Sequence, residues 1–477
     1  MKKVIFISAA IFCFIVSCDD ILNIEPTSSV TTSNMWQSES DAEGAMNGMY
    51  RQFRGSMNMM FRWGDLRTGF YGRGLSMRDT EIFENNLNAT TPGANWKDLY
   101  TSINDANLIL KYVPDIEFSN QEEKDNILAN AYFIRAICYY YIARLWGDAP
   151  LLLDGFESPE QEGIEPERTD ASEIFSQAGS DIESALDLIS NGATSRLYAS
   201  RPAINMLQAD YSLWMAKKQD GGTESLETAR AAIDDVLASN YRLLDSYEDV
   251  FRNDENDEII FSIQFERDEG PSNYFGSPFL LPNFAIPHDS LANNPLQYGS
   301  HSQWYKMTEK QQDFLYEDAD DSRAYINYAI HTFDDVQYDW INKYLGEFSD
   351  GTRYHNSDTR FYRLAEAYLF KAEVENALGN QSVALDYVNS IAARAYGQED
   401  YYSEAYSQEE VDEIILDERI KELATEGKSW FDLIRFNEAF ERVWSLNGRQ
   451  GEENILLWPV HQNSLNTNSN IEQTAGY

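Results

Sequence analysis

Catalysis and metal binding need particular residue types at particular spacings, and this chain offers few of them. Its five histidines are His288, His301, His331, His355 and His461. None forms the two-histidine helical motif of a zinc hydrolase. No Gly-x-Ser-x-Gly elbow, phosphate loop or dinucleotide fingerprint occurs. Acid pairs such as Asp320-Asp321 and Asp334-Asp335 are present, but with 79 Asp and Glu residues adjacent acids arise from composition alone. Two carboxylates act as glycosidase acid and base only at a set separation in space, which position along the chain does not reveal. The acidic run 254–258 lacks the spaced ligands of a calcium loop and reads as a solvated turn. The chain is therefore read as a non-enzyme, with no cofactor and no metal.

Cysteine offers a different chemistry. Met1-Lys2-Lys3 is a basic head, and residues 4–16 are apolar apart from Ser8. That run is too short to span a bilayer, which takes about 20 residues as a helix. It reads as an export signal covering 1–17. Ile15-Val16-Ser17-Cys18 stands where small residues usually mark cleavage, and it resembles the lipobox of bacterial lipoproteins. The resemblance implies that Cys18 is acylated and begins the mature chain, holding it to a membrane. Cys13 leaves with the signal, so Cys138 has no disulfide partner. It lies in an apolar helical pattern and reads as a small buried residue.

These features must be carried by a body of suitable size and charge. The chain has 477 residues and a net charge of −42. Such a surface repels nucleic acid and anionic lipid, so a nucleic-acid partner is excluded. It gives weak grounds for a preference for basic or neutral ligands. An aromatic content of 13% argues against disorder. No long Pro- or Ser-rich linker interrupts the chain, so a tether over 18–33 and one domain over 34–477 are expected.

Helical periodicity predicts helices over 33–53, 96–113, 122–146, 171–190, 202–217, 224–239, 359–378, 381–395, 408–427 and 430–440. Residues 31–34 and Asp170 are the cap candidates for the first and the fourth. Trp96 is assigned to the core. The segment 360–395 reads as two helices joined by Gly379-Asn380, with Ala365, Ala367, Ala372, Ala377 and Ala384 where they approach. Helix pairs of this length are tetratricopeptide-like, and stacked pairs build a curved scaffold. Residues 258–265 alternate as a short strand. Two stretches lack helical period. One is 62–93, rich in Gly, Arg and aromatics. The other is 271–355, with 17 aromatics. Long irregular segments of compact proteins are usually functional.

Four blocks carry a family resemblance. FIRAICYYYIARLWGDAPLLL (133–153), RLAEAYLFKAEVENALGN (363–380), ILDERIKELATEGKSWFDLIR (415–435) and LLWPVHQNSLNTNSNIEQTAGY (456–477) resemble the SusD/RagB family, in order from end to end. The ending Gln473-Thr474-Ala475-Gly476-Tyr477 departs modestly from the family's usual Gln-Asn-x-Gly-Tyr. The resemblance implies a mostly α SusD-like fold. Stacked tetratricopeptide-like helix pairs over 34–257 and 356–477 would frame a loop-rich aromatic insert over 258–355, with a few short strands. It implies a cell-surface lipoprotein of the outer membrane that captures oligosaccharides, or in some cases peptides. It would act as a lid on a SusC-like TonB-dependent transporter. Asp19 and Asp20 resemble the signal that sends such lipoproteins to the exterior. The blocks themselves read as scaffold. In 415–435, acids before Arg419 and Lys421 are expected to form surface ion pairs.

A sugar presents an apolar C–H face and a rim of hydroxyls, so its site wants exposed aromatics with a few polar groups. The family's ligand site lies on loops at the outer face, which implies the two irregular stretches. The candidates are Trp63, Arg67, Phe70, Tyr71 and Arg73 from the first and Tyr274, Trp304, Tyr305 and Trp340 from the second. Asp65-Leu66-Arg67 matches a family acid-Leu-Arg run, in which Thr68 and Gly69 replace the last two residues. The aromatic insert favours a glycan. A peptide is the alternative ligand.

Overall fold

The computed structural model describes residues 35–76, 78–267, 278–286, 298–300, 302–349 and 352–477. The leader, Cys18 with Asp19 and Asp20, the tether and Tyr274 lie outside the described residues.

The helical part begins with α1 (Glu39–Met57), α2 (Lys97–Tyr112) and α3 (Gln121–Trp146). It continues with α4 (Ala171–Leu188), α5 (Arg201–Lys218) and α6 (Gly222–Leu237). After an insert containing α7 (Glu309–Leu315) come α8 (Leu364–Ala377), α9 (Gln381–Tyr396) and α10 (Gln408–Glu422). Side chains at the ends set several boundaries. Ser38 caps α1 in a reciprocal box with Asp41 and so sets its opening at Glu39. Ser407 and Glu410 do the same for α10. Such boxes satisfy two otherwise unpaired N–H groups, each cap contributing about 1 kcal/mol. Asp170 caps α4 as expected.

α3 packs on α4, α5 on α6 and α8 on α9. Small residues let the last pair close: Ala372 and Ala384 share one buried cluster, and Ala365 meets Ile391 in another. Every residue from Phe133 to Trp146 is buried, which makes the second half of α3 a helix enclosed on all sides. Cys138 lies there, fully buried, and burial pushes its thiol far above the ordinary range. Trp96 is in the core, as expected.

The strands are β1 (Tyr71–Arg73), β2 (Ile259–Ile263), β3 (Leu281–Pro282), β4 (Tyr298–Ser300) and β5 (Tyr305–Met307). They continue with β6 (Tyr328–Phe333), β7 (Val336–Ile341), β8 (Glu347–Ser349), β9 (Thr352–Tyr354) and β10 (Thr359–Arg363). They pair two by two, as β1–β5, β2–β10, β3–β4, β6–β7 and β8–β9. The insert is therefore a series of short ribbons, more ordered than its composition suggested. Residues 359–363 are strand and not the first turn of a helix. They pair with β2 from Thr359↔Ile263 to Arg363↔Ile259, and all five are buried. Likewise α10 stops at Glu422, and the expected helix over 430–440 is two short ones, Ser429–Arg435 and Ala439–Arg442.

The charges of 415–435 are not at the surface. Glu418, Arg419, Lys421, Glu422 and Glu426 are all buried. Most of their partners come from other segments, though Arg419 also pairs with Asp432 (2.9 Å) within the block. Arg363 donates to Glu258 (3.0 Å), Glu422 (2.6 Å) and Glu426 (2.9 Å). Arg323 donates to Asp321 (2.8 Å) and Glu418 (2.7 Å), and Arg394 to Glu258 (2.6 Å). Lys343 donates to Glu426 (2.9 Å). Spacing within one helix does not show these partners, so the surface reading was wrong.

Candidate functional site

The two irregular stretches meet. β1 and β5 form an antiparallel ribbon with Tyr71↔Met307, Gly72↔Lys306 and Arg73↔Tyr305 opposed. The pairing runs on at both ends. The Gly74 N–H donates to the Trp304 carbonyl (2.9 Å), and the Thr308 N–H to that of Phe70 (2.9 Å). Three residues of strand span about 10 Å, the length of a short oligosaccharide segment.

The inner face of the ribbon is core, and this reassigns several candidates. Tyr71 and Tyr305 are buried on either side of Phe61, with ring centroids 4.9 Å and 5.5 Å away. The Tyr71 hydroxyl hydrogen-bonds Thr425 (3.0 Å), and that of Tyr305 donates to Asp79. Trp63 is 1% exposed, stands edge-on to Trp146 and donates to the Gly93 carbonyl (2.8 Å). Trp340 is fully buried in a small cluster with Leu280, Leu281, Ile286 and Ala329, and donates to Asn342 (2.9 Å). None of these four rings presents a face to a ligand. They are the loops' own core.

Arg67 is reassigned too. It is fully buried, donates to the carbonyls of Ile455 (2.6 Å) and Leu456 (2.9 Å) and to Asn85 (2.7 Å), and lies 4.2 Å from the Trp430 ring centroid. Burial lowers its guanidinium to about 10. Asp65 beside it accepts from the Gly427 N–H (2.7 Å), yet burial raises its carboxyl to about 7. The Asp-Leu-Arg run therefore bolts the front of the chain to its C-terminal blocks.

Phe70, Arg73 and Trp304 remain accessible: Arg73 is exposed, the other two half-buried. At one end of the ribbon the Trp304 indole donates to Ser302 (2.8 Å), and exposed Arg78 sits 4.7 Å from its ring centroid. At the other end Phe70 lines a cleft of about 280 Å³ with Thr308, Lys310, Gln311, Phe314, Arg442 and Trp444. Trp444 is 56% exposed. Gly69, at φ 75°, makes room for it, since a Cβ there would stand 2.9 Å from the indole. Between the ends little of the described chain covers the outer face. A Cβ on Gly72 would meet only Thr308 at 3.5 Å, and Lys306 opposite is half-buried and paired with Asp339 (3.4 Å). Accessible rings at both ends of the strip can stack on sugar faces, while Arg73 and Lys310 can meet hydroxyls. A wider hollow of about 840 Å³ lies beside the C-terminal segment. Its rings, Trp146, Phe175 and Trp214, are all buried and offer no stacking face.

Phe314, Trp444, Arg78, Lys306, Lys310 and Gln311 were missed in the sequence. Trp444 carried the clearest signal, a lone indole in the polar run 441–451, outside both irregular stretches.

Comparisons with known proteins agree with this architecture. A family model described as "SusD family" matches residues 290–477. Another, "Starch-binding associating with outer membrane", matches 29–209. SusD-like protein P25 of Formosa agariphila is 28% identical, over 96% of this chain and 94% of that protein. SusD-like protein P38 of the same organism is 26% identical, over 97% and 96%. Among solved structures, B. fragilis NanU superposes with a TM-score of 0.81 at 24% identity, covering 95% of this chain and 100% of that one. A SusD superfamily protein from Bacteroides vulgatus gives 0.80 at 22% identity, over 93% and 100%.

Proposed function

Because the chain belongs to the SusD family, associated with the outer membrane and with carbohydrate binding, we propose that it is a cell-surface lipoprotein that captures oligosaccharides. It delivers them, as a lid, to a SusC-like TonB-dependent transporter. Cys18 carries the lipid, and residues 34–477 work as one body. Among the described residues no helix is long and apolar enough to cross a membrane, in keeping with attachment by lipid. Binding without catalysis is the activity.

One observation carries the reading: the β1–β5 ribbon joins the two irregular stretches and has accessible aromatic rings at both ends. Phe70, Arg73, Trp304 and Trp444 are the contacts. Rigid rings add contact area at low entropic cost, and an extended sugar chain lying over Gly72 reaches both ends. The test is a binding screen of the purified protein against glycan and peptide panels. Glycan binding that weakens in Trp304→Ala and Trp444→Ala is the expected result. Binding of peptides alone would replace the glycan by a peptide. Glycan binding untouched by both substitutions would move the site elsewhere.

A further inference from the structure

The chain has 79 acidic and 37 basic residues, so a basic group without a carboxylate neighbour is the exception. Most arginines and lysines of the described residues are matched. Unmatched ones also occur singly elsewhere, as at Arg51, Lys97 and Arg201, but three of them lie around the ribbon. Arg73, Arg78 and Lys310 are exposed, and none of them has a carboxylate within ion-pair distance. Arg73 ends β1, Arg78 stands over Trp304, and Lys310 lines the cleft of Phe70 and Trp444. Among the described residues no carboxylate lines that cleft, whose other charged group, Arg442, is held by Glu438 and Asp417. Lys306 between the two ends is shared with Asp339. The nearest exposed acids in sequence are Glu309 and Asp313 on α7, and neither pairs with Lys310. The strip is thus a basic island on an acidic protein.

We propose that the ribbon takes an anionic oligosaccharide, one bearing carboxylate or sulfate groups. This inference rests on the glycan reading of the same site and names its ligand class. The distribution of charge supports it. A guanidinium fork matches the two oxygens of a carboxylate or sulfate. With Arg78 4.7 Å from the Trp304 ring centroid, an anion held by Arg78 leaves its sugar ring beside the indole. Lys310 plays the same part beside Phe70 and Trp444. The remaining surface, acidic in sum, repels such a ligand and so confines it to the island. The net charge taken alone suggests the opposite preference, for basic or neutral ligands. The local charges are the ones a ligand on the ribbon meets, because at physiological ionic strength fields fade over about 8 Å.

The experiment is calorimetric titration of the purified protein with neutral oligosaccharides and with uronate-bearing and sulfate-bearing ones of matched length. Parent, Arg73→Gln, Arg78→Gln, Lys310→Gln and Trp304→Ala proteins are compared at low and high salt. The expected result is at least tenfold tighter binding of one or both acidic series than of the neutral series. That preference weakens with salt and falls severalfold in each charge variant, with unchanged melting temperatures. Comparing the uronate and sulfate arms tells which group is read. Neutral sugars bound as tightly as acidic ones, with the charge variants inert and Trp304→Ala weakened, would overturn the anionic inference and leave the glycan site standing. Binding of no saccharide, or binding indifferent to Trp304→Ala, would overturn the glycan reading and this inference with it.

Discussion

Charge is used in opposite ways at two places in this molecule. Inside, between α10 and the strands β2 and β10, Arg323, Arg363, Arg394 and Lys343 are enclosed and met by Glu258, Asp321, Glu418, Glu422 and Glu426. At the ribbon, Arg73, Arg78 and Lys310 face solvent with no described carboxylate within ion-pair distance. A buried charge must be matched or the fold suffers. An exposed one is tolerated unmatched, and so remains available to a ligand. Aromatic rings divide along the same line. Trp63, Tyr71, Tyr305 and Trp340 are interior, whereas Trp304 and Trp444 are reachable. Residue type alone is therefore a poor guide here to which side chains a ligand can reach.

The contrast can be broken most sharply from the inside. Arg363→Ala removes the cation shared by Glu258, Glu422 and Glu426 and leaves them only Arg394, Arg323 and Lys343; removing one partner of such a buried group costs about 3–5 kcal/mol. Chemical denaturation should show that loss, or no folded protein at all. Trp63→Ala opens a hole beside Trp146 and strands the Gly93 carbonyl, with an expected cost of about 3–5 kcal/mol. The same change at Trp444, more than half exposed, should alter stability by less than about 0.5 kcal/mol. Equal melting temperatures for the two tryptophan variants would erase the distinction between interior and reachable rings.

Acid should act on the interior first. Burial by itself would raise the Glu422 carboxyl, but Arg394, Arg363 and Arg323 outweigh it and hold the group at about 2, against an ordinary 4.5. A carboxyl lowered on folding contributes stability that is complete above its unfolded value. That contribution is lost as pH falls from 4.5 towards 2. Asp65 has the opposite sign. Burial raises it from 3.8 to about 7, so its contribution weakens as pH climbs through that window. Melting curves across pH should therefore show Asp65→Asn flattening the upper window alone. The smallest effect expected is on stability at the ribbon, where Lys310→Gln should leave the melting curve unchanged.

Much of the scaffold was legible. The paired helices announce themselves by local periodicity, by Gly379 between α8 and α9, and by alanines where two backbones approach. That the two irregular stretches share one face was implied by the family resemblance and not by their composition. Which of their residues would face outward was not legible. Arg67 is interior because Ile455 and Leu456 present carbonyls to it from the far end of the chain. Trp63 is interior because Trp146 and Gly93 close over it. Those partners are set by tertiary contacts with no trace in the local pattern. The same holds for 359–363, whose pull toward strand comes from β2, about a hundred residues earlier. Trp444 was overlooked for the converse reason, lying outside both stretches while folding back onto Gly69.

The central claim is that the ribbon is the ligand face. Its most direct test is to find the best-bound oligosaccharide and titrate it into the parent and a Trp304→Ala/Trp444→Ala double variant. Melting temperatures are measured alongside. Base-free stacking of a sugar on a ring is a contact of modest strength, and aromatic contacts contribute about 0.5–1.5 kcal/mol each beyond area burial. Loss of both rings should therefore weaken binding by about 1–3 kcal/mol, roughly fivefold to a hundredfold, while the melting temperature stays the same. An affinity equal to that of the parent, in a protein that is equally stable, would contradict the account.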